Sequence, residues 1–322
     1  MDNISQSDLL EYHLQEKHYE KAAEFYESLV EEQPETPEYY WYLGLAYLLQ
    51  GKEEEAQLTW FVALNQQETE EEIEIKTQEL TSVLEAEAQR QEKQQNYQLA
   101  WLIRGHIREL QPDNLPNLLN LICLDVTLGY PTTTKLGGWG VIELLSDKNT
   151  PRLPTELVIK ALEKILYIIS DESLDFARAC LKHSTDSLII VETVSNGAKK
   201  LNLVKNLISY PASLINVCLE KQGDDLGLLK TLFVFYSGDV QYYQKALEVA
   251  TVFLKISNTI TARIFGLRQL LSLYLRNYNW SEGMTIAKQY IKEITLSLIP
   301  MSCQKMPRTI TRKKSGDYPI LI

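Results

Sequence analysis

Cysteine, glycine, proline and histidine are all scarce in this 322-residue chain, and each scarcity excludes something. The four cysteines, Cys123, Cys180, Cys218 and Cys303, form no C-x-x-C pair. Neither a disulfide framework nor a zinc knuckle is therefore supported, and buried, reduced thiols are expected. Fourteen glycines and eleven prolines against plentiful Leu, Glu, Gln, Ala and Lys favour helix over sheet. No apolar run approaches the ~20 residues that span a bilayer. The opening MDNISQSDLLEYHLQEKHYEK has early acids and lacks the apolar segment of a secretory signal. A soluble, cytoplasmic, all-α protein with no membrane association is expected.

The inventory for chemistry is thin. Of the four histidines, His13, His18, His106 and His183, the first two stand five apart, roughly 500° of helical rotation, so they diverge rather than chelate. H-E-x-x-H and G-x-S-x-G are absent, and no cysteine has a recognisable catalytic setting. GYPTTTKLGGWG lacks the G-K-[ST] of a phosphate loop and any preceding strand. The Glu-rich stretch from Gln67 lacks the central glycine of a calcium loop and reads as one long helix with a solvated acidic flank. No catalytic, cofactor or metal site is expected, and the chain reads as a non-enzyme.

The net charge of −11 hides an asymmetry. Residues 1–112 hold 24 acids and 8 bases, a balance of −16, which leaves +5 for the remainder. An acidic front end repels nucleic acid and would attract a basic partner, although charge on helix exteriors is ordinarily a solvated face.

Within residues 37–70, Tyr40, Leu43, Gly44 and Tyr47 share one helix face, and Ala56, Trp60 and Ala63 share the next. Gly44 and Ala56 are small where two antiparallel helices cross closely, and Gly51 marks the turn. Stepping back 34 residues puts Leu9, Ala22, Tyr26 and Leu29 in the equivalent places, with Pro34 closing that unit. A third copy starts at Thr81 and matches at Leu84, Ala88, Ala100, Ile107 and Pro112, but Gln91 and Arg104 occupy large-apolar places. The pattern resembles the tetratricopeptide repeat (TPR), a 34-residue helical hairpin whose copies stack into a grooved superhelix.

The expected organisation follows. Residues 1–128 form a TPR-like domain with units at about 3–36, 37–70 and 81–114. Residues 129–154, with Gly129, Pro131, Gly137, Gly138, Gly140, Pro151 and Pro154, form a loop or hinge. Residues 155–297 form a second helical array, with turns near Asp171, Ser184, Asn196 and Pro211 and degenerate units around Ala246–Phe253 and Leu267–Tyr290. Residues 298–322 read as a disordered basic tail carrying Lys305, Arg308, Arg312, Lys313 and Lys314. The fold class is an all-α, TPR-like α-solenoid.

Three runs carry a narrower likeness: YYWYLGLAYLLQGKEEEAQLTWFVAL, VLEAEAQRQEKQQNYQLAWLIRGHIRELQP and WGVIELL. They resemble the amino-terminal helical half of cyanobacterial SPINDLY-type O-linked N-acetylglucosamine transferase family proteins over about residues 20–145. The family's α/β transferase part has no counterpart here, so the resemblance carries over no donor-binding or catalytic residue.

The TPR resemblance implies a protein-interaction scaffold with a partner peptide in the concave groove. The substrate-recognition half of a truncated or split transferase is the alternative. Groove positions of the repeat fall on Glu38, Trp41, Leu45 and Leu48 in the second unit and on Ser7, Glu11 and Leu14 in the first. Trp41 beside acids suits a peptide with a basic and an apolar residue. Equally, Trp41 packs against the adjacent repeat.

Overall fold

The computed structural model describes residues 18–184, 186–205 and 207–298. Among these residues the regular structure is sixteen α-helices and one 3-10 turn, with no strand, so the all-α expectation holds. The chain divides into two compact units, one ending at Lys205 and the other beginning at Asn206. Glu11, Leu14, Cys303 and the tail from 299 lie outside the described residues, as does the first helix expected for unit 3–36.

The first unit opens with α1 (Tyr19–Glu32), α2 (Pro37–Leu49) and α3 (Glu53–Leu64), which pack in succession. Pro37 sits in the first turn of α2, where its missing N–H costs nothing. Gly51 turns the chain into α3 with φ +81°, a conformation that penalises a side chain. At Gly44 the reason for glycine is space: α2 and α3 cross so closely that Trp60 lies over the Gly44 Cα, donating its indole N–H to the Trp41 carbonyl at 3.2 Å.

Next come α4 (Glu70–Lys93) and α5 (Tyr97–Leu110), the second close hairpin. α4 is the long uninterrupted helix that the lack of Gly and Pro predicts. A capping box starts it, the Glu72 N–H donating to Thr69 Oγ1 and the Thr69 N–H to a Glu72 carboxylate oxygen. Glu70–Glu72 at its start and Arg90 and Lys93 at its end oppose the helix dipole. The core beneath these five helices joins Tyr26, Trp41, Leu48, Trp60, Leu84, Ala88 and Ile107.

The two polar residues at apolar places of the α4–α5 hairpin, Gln91 and Arg104, are buried and paired. The Arg104 guanidinium, 1% exposed, donates to Glu92 (2.6 Å), Glu85 (2.8 Å) and the Asn117 side chain (3.2 Å). The Gln91 amide donates to Glu87 at 2.6 Å. Burial of a cation is tolerated here because each guanidinium nitrogen meets an acceptor.

Beyond α6 (Leu115–Leu128) the chain departs from expectation. Residues 129–154 are not simply a loop. They contain α7 (Thr133–Gly138) and α8 (Val141–Ser146), both packed against α10 (Asp171–His183). Leu136, Val141 and Leu145 are buried and supply the anchors that the glycine-rich composition obscures. Lys135 donates to the buried Asp125 carboxylate at 2.7 Å and stands 5.0 Å from the Trp139 ring, fastening α7 to α6. Residues 129–132, 139–140 and 147–154 are without helix.

α9 (Thr155–Ile165) then packs on α6 and on α11 (Ser187–Lys205). The turn expected at Asn196 is absent, because α11 runs through Asn196 and Gly197 without interruption. Gly197 is there to admit Leu166, whose Cδ1 would lie 3.0 Å from an added Cβ.

The strand-free stretch before α9 clasps His183. The Leu153 N–H donates to His183 Nε2 at 3.1 Å, and the Arg152 guanidinium donates to the His183 carbonyl. Burial lowers the His183 pKa below the ordinary imidazole value, the Arg152 cation adds to this, and the Leu145 carbonyl opposes it. The folded state therefore binds fewer protons than the unfolded chain. The stability held in this site is intact above the unfolded-state pKa of about 6.5 and is lost as pH falls below it. Urea midpoints at about pH 7.5 and 5.5 should show a smaller acid-induced drop for His183→Gln than for wild type; equal drops would remove His183 from the account.

The second unit comprises α12 (Ser209–Lys221), α13 (Leu226–Ser237), α14 (Tyr243–Ile256), α15 (Ile260–Arg276) and α16 (Trp280–Leu298), each packed on the next. Asp225 and Thr259 cap α13 and α15 by accepting from the N–H of Leu228 and Ala262. Cys123 and Cys180 in the first unit and Cys218 in the second are buried. Burial pushes Cys123 up to about 11 and Cys218 up to about 12, which suits packing rather than nucleophilic chemistry.

Candidate functional site: an acid-rimmed cleft

The repeat pattern placed partner-contacting residues on α2, and the structure disposes of them differently. Glu38 is exposed and forms an ion pair with Lys76 of α4 at 3.2 Å. Trp41 is 1% exposed, and Leu45 and Leu48 are equally buried. These three are core and present no face to a peptide. The physical reason lies in α2 itself: YYWYLGLAYLL is apolar all round, and such a helix is enclosed on every side.

An exposed apolar surface of this unit sits one helix further on. α3 turns Ala56, Trp60 and Ala63 inward, a spacing of four and three that brings the small residues against α2. Its sequence EEEAQLTWFVAL carries more apolar residues than one face can hide, and the surplus faces solvent. Phe61 is 65% exposed and Leu58 63%, with Val62 beside them. Those two, with Trp60, Leu64 and Leu110, line a cleft of about 460 Å³ between α3 and α5.

The rim of this cleft is acidic. Glu54 and Glu109 line it and no lysine or arginine does. His106 forms part of the wall: its ring meets Trp60 edge-on at 5.6 Å, its Nε2 lies 3.3 Å from Glu53 and its Nδ1 3.4 Å from Glu109. Chemically, the arrangement offers an apolar floor and carboxylates at the edge. Among the described residues no group of three or more His, Cys, Asp or Glu is placed to hold a metal ion. No described helix is long and apolar enough to cross a membrane.

Sequence reasoning missed Leu58, Phe61, Glu54 and Glu109. The available signal was the unbroken run Trp60–Leu64, five apolar residues in a helix that could bury only two or three of them.

No protein-family model matches the chain, and no curated protein matches it. Two solved structures are similar to it. One is the TPR domain of P58(IPK), at 14% identity over 93% of this chain and 98% of that one, with a TM-score of 0.25. The other is the Naa15/Naa10 complex bound to HypK-THB, at 15% identity over 88% of this chain and 53% of that one, also with a TM-score of 0.25. Values this low carry no weight for what the chain binds, and the hairpin packing described above rests on its own geometry.

Proposed function

We propose that the chain is a protein-interaction scaffold and that the α3–α5 cleft receives a partner segment. The observation carrying this reading is the pair of exposed side chains Leu58 and Phe61 beside a ready-formed hollow with an acidic rim. Exposed apolar clusters rimmed by charge are characteristic of interaction sites. The partner it suits is a peptide or protein segment joining a bulky apolar residue to Lys or Arg, as the acidic front end already suggests. The role fits a cytoplasmic protein and needs no cofactor. Glu38 is paired with Lys76, and Trp41, Leu45 and Leu48 act by holding α2 in place.

The test is binding of fluorescent peptides alternating Leu with Lys or Arg, against matched peptides carrying Glu. Basic peptides should bind, acidic ones should not, and Phe61→Asp should weaken binding at least tenfold, about 1.4 kcal/mol. Equal affinity for both peptide classes, or indifference to Phe61→Asp, overturns the reading.

The narrower alternative, substrate recognition for a SPINDLY-type sugar transferase, rests on sequence resemblance over about residues 20–145. It requires a transferase-coding segment in the adjoining downstream DNA, and finding none in any frame would remove its support.

A further inference from the structure

The second unit carries an exposed face of opposite charge. α16 buries only Gly283, which lies against Tyr274 and Leu275 of α15. Its outward side presents Trp280, Met284 and Ile291, the first and last each 63% exposed, and then Leu298. Spacings of four and seven residues put them in one stripe along the helix, the seam geometry by which helices pair. Lys288 and Lys292 flank Ile291 on the same side and are exposed, and among the described residues neither engages a carboxylate. The nearby acid Glu293 is held away by Arg263 at 2.8 Å.

Both exposed faces carry apolar side chains beside charge, of opposite sign on the two. On α3, Glu54, Leu58, Phe61 and Val62 fall at i, i+4, i+7 and i+8. On α16, Lys288 and Lys292 stand beside Met284 and Ile291. Neither face suits a copy of itself, because two α3 faces would set glutamates together and two α16 faces would set lysines together. Like charges juxtaposed in a contact are costly, and opposite ones fix partner and orientation.

We infer that the occupant of the α3–α5 cleft is α16 of a second copy of this chain. The inference rests on the cleft being a partner site and names that partner. Apolar burial of Phe61, Leu58, Met284 and Ile291 supplies the attraction, and Glu54 and Glu109 against Lys288 and Lys292 supply the direction. The contact joins two different faces, so each copy offers one cleft and one stripe.

The experiment is sedimentation velocity of the full chain from about 1 to 100 μM, the affinity range of weak to moderate contacts. Wild type should self-associate as concentration rises, and about 0.5 M NaCl should weaken the association severalfold. Phe61→Asp disables the cleft and Ile291→Asp disables the stripe. Both positions are exposed, and circular dichroism should confirm unchanged helix content. Each variant alone should be monomeric, and an equimolar mixture should give a dimer that grows no further, since it retains one intact cleft and one intact stripe. Lys288→Glu with Lys292→Glu should likewise abolish association, and adding Glu54→Lys should restore part of it. A wild type that is monomeric at all concentrations, or a mixture that fails to pair, overturns the inference. If that monomer still binds Lys/Leu peptides through Phe61, the cleft remains a partner site and only the identity of its occupant is wrong.

Discussion

Gly44→Ala should lower the stability of the first unit by about 2 kcal/mol, although alanine is the better helix former. An added Cβ would lie 2.3 Å from Trp60 Nε1 and 2.7 Å from Trp60 Cδ1 and Cε2. The indole has nowhere to go. Its N–H is committed to the Trp41 carbonyl, and its edge meets His106. Relief would need either the helices to part or the ring to leave the core, and overpacking of this kind costs about 1–3 kcal/mol. The gain in helix propensity, about 1 kcal/mol at most, offsets only part of a clash this deep. In a unit of this size the loss corresponds to a fall of about 4–8 °C in melting temperature. Gly105→Ala on α5 is the matched control: no atom lies within 4 Å of its added Cβ, so the same substitution there should be neutral or stabilising. Thermal melts of both variants would check the pair, and a Gly44→Ala protein as stable as Gly105→Ala would refute the close crossing.

Arg104→Met should cost more, about 3–4 kcal/mol. The guanidinium is almost wholly buried and neutralises Glu85 and Glu92, which α4 brings to it from separate turns. Removing the cation leaves two carboxylates facing each other in a poorly hydrated place, and an orphaned buried charge costs far more than the intact pair contributes. Glu85 is about one-third exposed and keeps some hydration, which holds the figure at the lower end of such losses. The triple variant Arg104→Met, Glu85→Gln, Glu92→Gln should recover most of the stability, because no charge is then stranded. Urea unfolding of the single and triple variants separates the two terms. Equal losses in both would mean that Arg104 acts through shape and not through charge.

These two residues also show how far the sequence could be read. Gly44 was legible because the crossing involves neighbours 12 and 16 positions away, Ala56 and Trp60, at a spacing that helical hairpins impose. Arg104 was legible only as a misfit. Its acceptors come from α4 and α6, and nothing in the local pattern announces that Glu85, Glu92 and Asn117 converge on it. The two short helices after α6 were hidden for a related reason: Leu136, Val141 and Leu145 are sparse among glycines, and their burial depends on α10, which lies more than 25 residues further on. At Asn196–Gly197 the same bias toward local cues suggested a turn where Leu166 of a neighbouring segment needed room.

The candidate site was less legible than the fold. A repeat-derived register pointed to Trp41, Leu45 and Leu48 because it assigns direction by position, whereas the composition of α2 predicts enclosure on every side. The surplus apolar residues of α3 were visible as a run, but only the placement of α5 turns that run into a cleft with carboxylates at its edge.

Glu92 has one more consequence. Its two carboxylate oxygens serve different helices, one taken by Arg104 of α5 and the other by Lys160 of α9 at 3.2 Å. Hairpin arrays commonly fray from an end, each member peeling away with little effect on the rest. Here the peeling of α9 would strip a counter-charge from the carboxylate that Arg104 depends on, and the disturbance would reach the second hairpin. Amide exchange in α4, α5 and α9 should then slow and quicken together, a cooperative block where independent shutters would be the default.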